Sequence, residues 1–275
     1  MDWRDEGILL WVRRHGESSV IVEALTREHG RHAGLIRGGA SKRQAAILQP
    51  GAQLTLEWSA RLAEHLGTYK ADLVRSRAAA IMTDRHRLAA MNVISALLVQ
   101  FLPEREPNHQ IYEDTLELLD MMGSDDPGWP ARYALWELAL LEALGFGLDL
   151  SVCAATGMTG DLAYVSPRSG RAVSREAGAP FADRMLPLPA FMLGLGAASI
   201  AAVREGLRTT GFFLENWVCP SYEIQQLPDA RNRLVRLLAR LDLPEPPVAE
   251  AQDTEYTPDE IAWLAKYGSA PTTDG

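Results

Sequence analysis

The sequence predicts an α+β chain, with a small five-stranded barrel first and an all-helical domain with an inserted hairpin knuckle after it. Three observations carry this. Apolar residues recur with period 2 as far as about Ser76 and with period 3.6 after Arg77. The charge changes sign at the same place: residues 1–77 hold 12 Lys+Arg against 9 Asp+Glu, whereas 78–275 hold 15 against 27. At about 150 residues per domain, 275 residues are enough for two cores.

The barrel elements follow in order. ILLWVRR from Ile8 and SSVIVEALT from Ser18 are short β-type runs, and RHAGLIRG follows the turn Arg27-Glu28-His29-Gly30. QLTLEWSA comes after the Pro50-Gly51 turn with alternation at Leu54, Leu56 and Trp58, and HLGTYKADLVRS completes the set. Five strands in about 75 residues fit a closed barrel of the OB type better than a sandwich, which takes about seven. The domain expectation is an OB-type barrel over 1–77, helices over 78–241, and an acidic, flexible tail over 242–275.

After Arg77, Thr83 or Asp84 can cap a helix running to Phe101, Pro107 opens a second that stops at Gly123, and Pro130 opens a third closed by Gly145. Short loops between them imply a bundle. Residues 153–180, with Gly157, Gly160, Gly170 and Gly178, read as a hairpin built on TGDLAYVS and SGRAVS. A buried helix is expected from near Pro189, and LPDARNRLVRLLARL from Leu227 is the last strong one. Residues 241–260 combine acids and four prolines with no base, and Thr257 can cap one short terminal helix.

Several function classes are excluded or weakened. Met185 to Val203 is uncharged over 19 residues, but its prolines, glycines and alanines make it a poor membrane span. Cys153 and Cys219 are too few for a disulfide framework and the N-terminus has no apolar signal region, so a reduced, cytoplasmic protein is expected. No phosphate-loop, zinc-protease, nucleophile-elbow or dinucleotide-binding motif occurs, and no catalytic residue or cofactor is assigned. His86 and His109 lie in solvated helical patterns, and Cys153 has no histidine near it in sequence to act as its base.

The remaining chemistry is electrostatic. RGGASKRQ sets Arg37, Lys42 and Arg43 around two glycines between the third and fourth strands, where glycine would let the backbone approach a phosphate. Three charges make a small patch, so spacing alone fits a solvating loop better. Trp3, Trp11, Trp58 and Tyr69 could stack bases, but each serves a barrel core equally well. In the last helix Arg233, Arg236 and Arg240 share one face, opposite Leu234, Leu237, Leu238 and Leu241; this is a solvated face by default and an anion-binding strip otherwise.

The order of these features resembles the bacterial RecO recombination and repair mediator family. The likeness is carried by DEGILLWVRRHGESSVIVEALTREHGRHAGLIRGGASKRQAAILQPGAQLTLEW, RYALWELALLEALGFGLDLSVCAATG, LAYVSPRSGRAVS and TTGFFLENWV leading to LPDARNRL, in that order over residues 1 to about 241. The resemblance implies a nucleoid-associated, non-enzymatic protein. Its implied activities are binding single- and double-stranded DNA, annealing complementary strands, and acting with RecR to load recombinase onto strands coated by single-strand binding protein. The family's DNA-binding unit carries onto Arg37, Lys42 and Arg43. A groove for the acidic, apolar tail of single-strand binding protein would need a cation beside an apolar pocket, for which Arg132, Arg233, Arg236 and Arg240 are the candidates. Many members carry a four-cysteine zinc knuckle. Here Thr156 follows Cys153 and the second arm has no cysteine, so no metal is assigned and Leu162, Tyr164 and Val173 are expected to pack the knuckle instead. Two other classes stay open on the residues alone: an OB-type RNA-binding or translation accessory protein, and an enzyme with a pocket in the helical domain.

Overall fold

The computed structural model describes residues 1–124 and 126–241, in two compact units. Met1–Trp129 and Leu227–Leu234 make the first; Pro130–Gln226 and residues 235–241 belong to the second. The acidic segment 242–275 and the short helix expected at Thr257 lie outside the described residues.

In the first unit, β1 (Asp2–His15), β2 (Ser19–Thr26), β3 (Gly30–Ile36), β4 (Gln53–Ser59) and β5 (Thr68–Arg75) close a barrel in the order β1-β2-β3-β5-β4. The expected five-stranded OB-type barrel is therefore present. Closure is made by one parallel pair, Leu35 beside Thr68; the other pairings are antiparallel. Val20, Val22 and Ala24 of β2 and Leu54, Leu56 and Trp58 of β4 face the core, as period 2 requires. β2 reads as an almost unbroken apolar run because its other face is buried too, at Ile21 and Leu25. Glu23 sits on that face, where Arg31 meets its charge.

β1 begins six residues before the expected Ile8. Residues 2–7 pair with β4, but their side chains are largely polar, so the apolar alternation is silent about them. A bulge between Leu9 and Trp11 falls just past the stretch shared by the β4 and β2 pairings. Gly34 has no side chain for a steric reason: a Cβ there would stand 2.2 Å from Cδ2 of Tyr69.

The helices of this unit hold the barrel from outside. After a short, unforeseen α2 (Ala78–Thr83), Asp84 caps α3 (Arg85–Phe101) by accepting from the amides of His86 and Arg87 at 2.7 and 3.2 Å. α4 (His109–Gly123) starts just after Pro107, and Asn108 caps it by accepting from the Ile111 amide at 3.0 Å. Ser95 on α3 donates to the Leu10 carbonyl at 2.9 Å. Arg77, its side chain buried, donates from Nε to Asp120 of α4 at 2.6 Å and reaches Gly51 and Gln53 at 3.4 Å. Arg105, between α3 and α4, donates to the carbonyls of Ala63, Glu64 and His65 and so holds the β4–β5 loop.

In the second unit, α5 (Trp129–Ala143) is followed by Gly145 at φ +83, as expected for a helix stop. The knuckle is a hairpin of β6 (Leu162–Val165) and β7 (Ala172–Ser174), followed by a four-residue α6 (Arg175–Gly178), with β8 (Leu186–Pro187) added as a third strand. Leu162 and Val173 are buried in it, and Tyr164 packs on Gly178. The helix expected from near Pro189 is corrected: only one 3₁₀ turn forms, over Ala190–Leu193, and Gly194 then turns left-handed at φ 74. Continuous helix starts later, where Ser199 caps α7 (Ile200–Phe213), and it passes through one π turn at Leu214–Val218 into α8 (Cys219–Ser221). Glu137 of α5 is fully buried and accepts from the hydroxyls of Tyr133 and Thr210, each at 2.5 Å.

Candidate nucleic-acid interface

The connection after β3 is more ordered than a loop. Gly38 takes a left-handed turn at φ 69, Ser41 caps α1 (Lys42–Ile47) by accepting from the Gln44 amide at 3.4 Å, and Arg37, Lys42 and Arg43 are all exposed. The two glycines differ: Gly38 is exposed with open space beside it, whereas Gly39 is packed. Gly39 is buried, and a Cβ on it would stand 2.4 Å from Cγ2 of Val20, so it seats the connection on the barrel rather than admitting a ligand. Lys42 and Arg43 occupy the first helical turn, where the peptide dipoles favour acids over cations.

That seating brings in a second basic segment that the sequence reading missed. The Ala40 amide donates to Ser18 at 3.0 Å, so the connection lies against the β1–β2 hairpin that carries Arg13, Arg14 and His15. In the ladder Arg14 faces Val20, and Val20 faces Ile36, the residue before Arg37. With strands about 4.8 Å apart, Arg14 and Ile36 are separated by about 10 Å. Arg13, Arg14, Arg37, Lys42 and Arg43 are exposed, and among the described residues none has a carboxylate within 4 Å. Arg4, Arg27, Lys70 and Arg75 of the same unit each do have one. Glu17, in the hairpin turn, is the acid nearest in sequence. The only signal in the sequence was VRRH at the end of an apolar run, which reads equally well as a solvated strand end.

The aromatic candidates divide. Trp58 and Tyr69 are 3% exposed and belong to the barrel core. Trp3 stacks on His29 with ring centroids 4.1 Å apart and on Trp58 at 5.7 Å. This group sits at the β2–β3 turn, whereas Arg37 follows the other end of β3, so the chain does not bring it to the basic edge. Trp11 does lie there, with the Arg13 guanidinium 5.8 Å from its ring centroid. Beneath Trp3, Tyr69 is hydrogen-bonded to Nδ1 of His32 at 2.9 Å. Burial, reinforced by the charge of Arg105, holds His32 down to about 4, and burial pushes the Tyr69 phenol up.

The remaining candidates separate as well. Arg132 is 7% exposed and so is no surface arginine. Arg233 and Arg236 are exposed on α9 (Asp229–Leu238); Arg240, also exposed, lies two residues past its end. Leu234 and Leu238 form the buried side, and Leu237 and Leu241 are only half-buried. Arg231 is buried beside them, which the spacing did not reveal. His86 is half-buried against Asp84, and His109 is exposed, 3.9 Å from Glu28.

At the knuckle, Cys153 is buried, accepts from the Ser174 amide at 3.2 Å, and lies 3.4 Å from the Ser174 hydroxyl. Hydrogen bonds from Ser174, first its hydroxyl, and from Thr156 pull the thiol down to about 6 against the effect of burial. Its neighbours are hydroxyls and amides rather than thiols, and among the described residues no three His, Cys, Asp or Glu side chains converge in a way that could hold a metal ion. These residues do not fit a zinc knuckle.

Two family models match this chain. The model for the N-terminal part of recombination protein O matches residues 1–77, and that for its C-terminal part matches 82–219. The chain belongs to the RecO family. It is 56% identical over 240 residues to the DNA repair protein RecO of Ruegeria sp. (strain TM1040), covering 87% of this chain and 99% of the relative. RecO of Cereibacter sphaeroides (strain ATCC 17029 / ATH 2.4.9) is 55% identical and that of Dinoroseobacter shibae 52%, with the same coverage. RecO relatives are DNA repair proteins, so the family's role lies in DNA repair and recombination. Among the described residues no helix is long and apolar enough to cross a membrane.

Proposed function

We propose that this RecO family chain is a non-catalytic repair mediator acting at the nucleoid. In this reading it binds single- and double-stranded DNA along the basic edge of its barrel, anneals complementary strands, and acts with RecR to load recombinase onto strands coated by single-strand binding protein. One observation carries the placement: five exposed cations, unpaired among the described residues while Arg4, Arg27, Lys70 and Arg75 are paired, lie on two segments that the fold presses together. Cations so placed are free to exchange small counterions for phosphates, which drives binding without regard to sequence. Two strands neutralised on one edge repel each other less, which is the physical basis of annealing.

Docking of the acidic, apolar tail of single-strand binding protein is assigned to Arg233, Arg236 and Arg240; buried Arg132 would reach such a tail only from the floor of a pocket. The test is a salt-dependent titration of the full chain with unrelated single strands, with annealing of complementary strands followed in parallel. Equal affinity for unrelated sequences, falling steeply with salt together with annealing, supports the reading. Salt-independent or absent binding overturns it.

A further inference from the structure

β3 pairs with β2 along its whole length, but among the described residues its other edge is met at two places, by Thr68 beside Leu35 and by Glu104 beside Arg31. The β4–β5 loop, residues 60–67, is fastened at both. The Leu35 amide donates to the Gly67 carbonyl at 3.1 Å, the Trp58 indole to that of Leu66 at 3.0 Å, and the Arg105 guanidinium to those of Ala63, Glu64 and His65, the last two at 3.2 and 3.0 Å. Arg105 does this from a left-handed conformation at φ 63, rare for a residue with a side chain, while its own amide donates to the Arg31 carbonyl at 2.8 Å. Five successive carbonyls are thus turned inward, although Arg61 through Leu66 are all exposed. Held in this way, the loop presents Leu62 and Leu66, 46% and 40% exposed, together with Arg61, which has no carboxylate within 4 Å among the described residues. Glu64 is its one acid.

We infer that this loop is a platform on which the bases of a single DNA strand pack, and that Arg105 is the residue that positions it. The inference rests on the proposed function, which takes the strand's phosphates along the basic edge. Continuity selects the occupant: Gly67 is bonded to Leu35, and two residues of extended chain, roughly 7 Å, separate Leu35 from Arg37. Chemistry selects it as well. Binding single strands without regard to sequence needs a cationic track and a surface for the bases, and the five cations supply the first alone. Trp58 and Tyr69 are buried, Trp3 and His29 stack at the other end of β3, and Trp11 already carries the Arg13 guanidinium. Leucine offers every base the same apolar surface, so it discriminates against none of them. Fixing the loop beforehand also avoids the entropy that a mobile loop would lose on binding. The bases of a duplex are already covered by pairing and stacking, so the platform acts on single strands, the form that annealing consumes.

The test measures binding of the full chain to a single strand, to an abasic strand of the same length and to a duplex, across salt concentrations. Covering both leucines hides about as much apolar surface as burying one leucine outright, so Leu62→Ser with Leu66→Ser should weaken single-strand binding on the order of tenfold. Leucines release no counterions, so the loss should be the same at every salt, with the slope of log K against log salt unchanged. It should be absent on the abasic strand and the duplex. Arg105→Gln should show the same pattern, and Arg105→Lys, which keeps the charge but not the fork of donors, a smaller loss of the same kind. Thermal melting checks folding; if Arg105→Gln does not fold, Arg105→Lys and the leucine pair still decide. A leucine variant that binds like the parent, or that loses affinity equally on the abasic strand or the duplex, overturns the platform while the five cations keep DNA on the edge. A leucine effect without an Arg105 effect overturns the positioning role. Failure of the parent to bind DNA, or undiminished binding when the five cations are changed to Ala, overturns instead the proposed function on which the inference stands.

Discussion

Changing Arg13, Arg14, Arg37, Lys42 and Arg43 to Ala in the full chain should flatten the salt dependence of DNA binding without destabilising the protein. Each is exposed and none has a carboxylate within 4 Å among the described residues, so their loss removes no ion pair and uncovers no core. Only the aliphatic stems are lost, within the roughly 0.5 kcal/mol usual for surface changes. On single strands each lost phosphate contact lowers the slope of log K against log salt by about 0.7, so the five together lower it by roughly 3.5. Arg37, Lys42 and Arg43 alone account for roughly 2 of that. Between 200 and 50 mM salt the parent should therefore gain on the order of a hundredfold more affinity than the five-site variant. Fluorescence anisotropy with two unrelated oligonucleotides at four salt concentrations measures this, and a thermal melt checks folding. An unchanged slope in a folded variant would refute the reasoning and move attention to the arginine strip of α9. A fall in melting temperature with an intact slope would make the segment structural.

Other consequences follow from the buried charges and the knuckle. His32 is held at about 4 in the fold against about 6.5 in the unfolded chain, so the fold prefers it neutral; its stabilisation is full above pH 6.5 and is lost as pH falls toward 4, by up to about 3 kcal/mol. Urea midpoints measured from pH 7 to pH 4 should show this fall, and His32→Gln should remove most of it. Asp120→Ala leaves the buried Arg77 guanidinium without its carboxylate and should cost about 2–3 kcal/mol in denaturant unfolding, discounted because Asp120 is itself partly exposed; Arg77→Met in the same chain should recover part of the loss. A chelator should leave the melting temperature unchanged, and elemental analysis should find no stoichiometric zinc; one zinc per chain with a chelator-sensitive melt would contradict the knuckle geometry.

The fold was legible wherever burial imposes a period. β2 through β5 and the helices α3, α4 and α5 lie within a few residues of where alternation and caps put them, because each buries one face against a core. Illegible elements are held by backbone pairing or by glycine conformation instead. Residues 2–7 of β1 pair fully with β4 behind polar side chains, β8 is two residues long, and the uncharged run after Pro189 is cut by Gly194 and Gly196 in left-handed conformation. Composition described that last run as apolar without saying that its backbone could not stay helical.

The candidate site was legible only in part, and the reason is physical. Sequence distinguishes a cation from an acid but not a paired cation from an unpaired one. Arg31 and Arg77 looked no different from Arg37, yet the fold commits the first two to Glu23 and Asp120, and both are lost to any external anion. Arg13 and Arg14 lie more than twenty residues from Arg37, and it is the pairing of both β1 and β3 with β2, with Gly39 seated on Val20, that brings the two segments together. A stabilising role would favour pairing these cations, or placing acids in the first turn of α1, yet Lys42 and Arg43 stand there without acids. Leaving them unpaired against the helix dipole forgoes a few tenths of a kcal/mol each and keeps five charges open to an external anion.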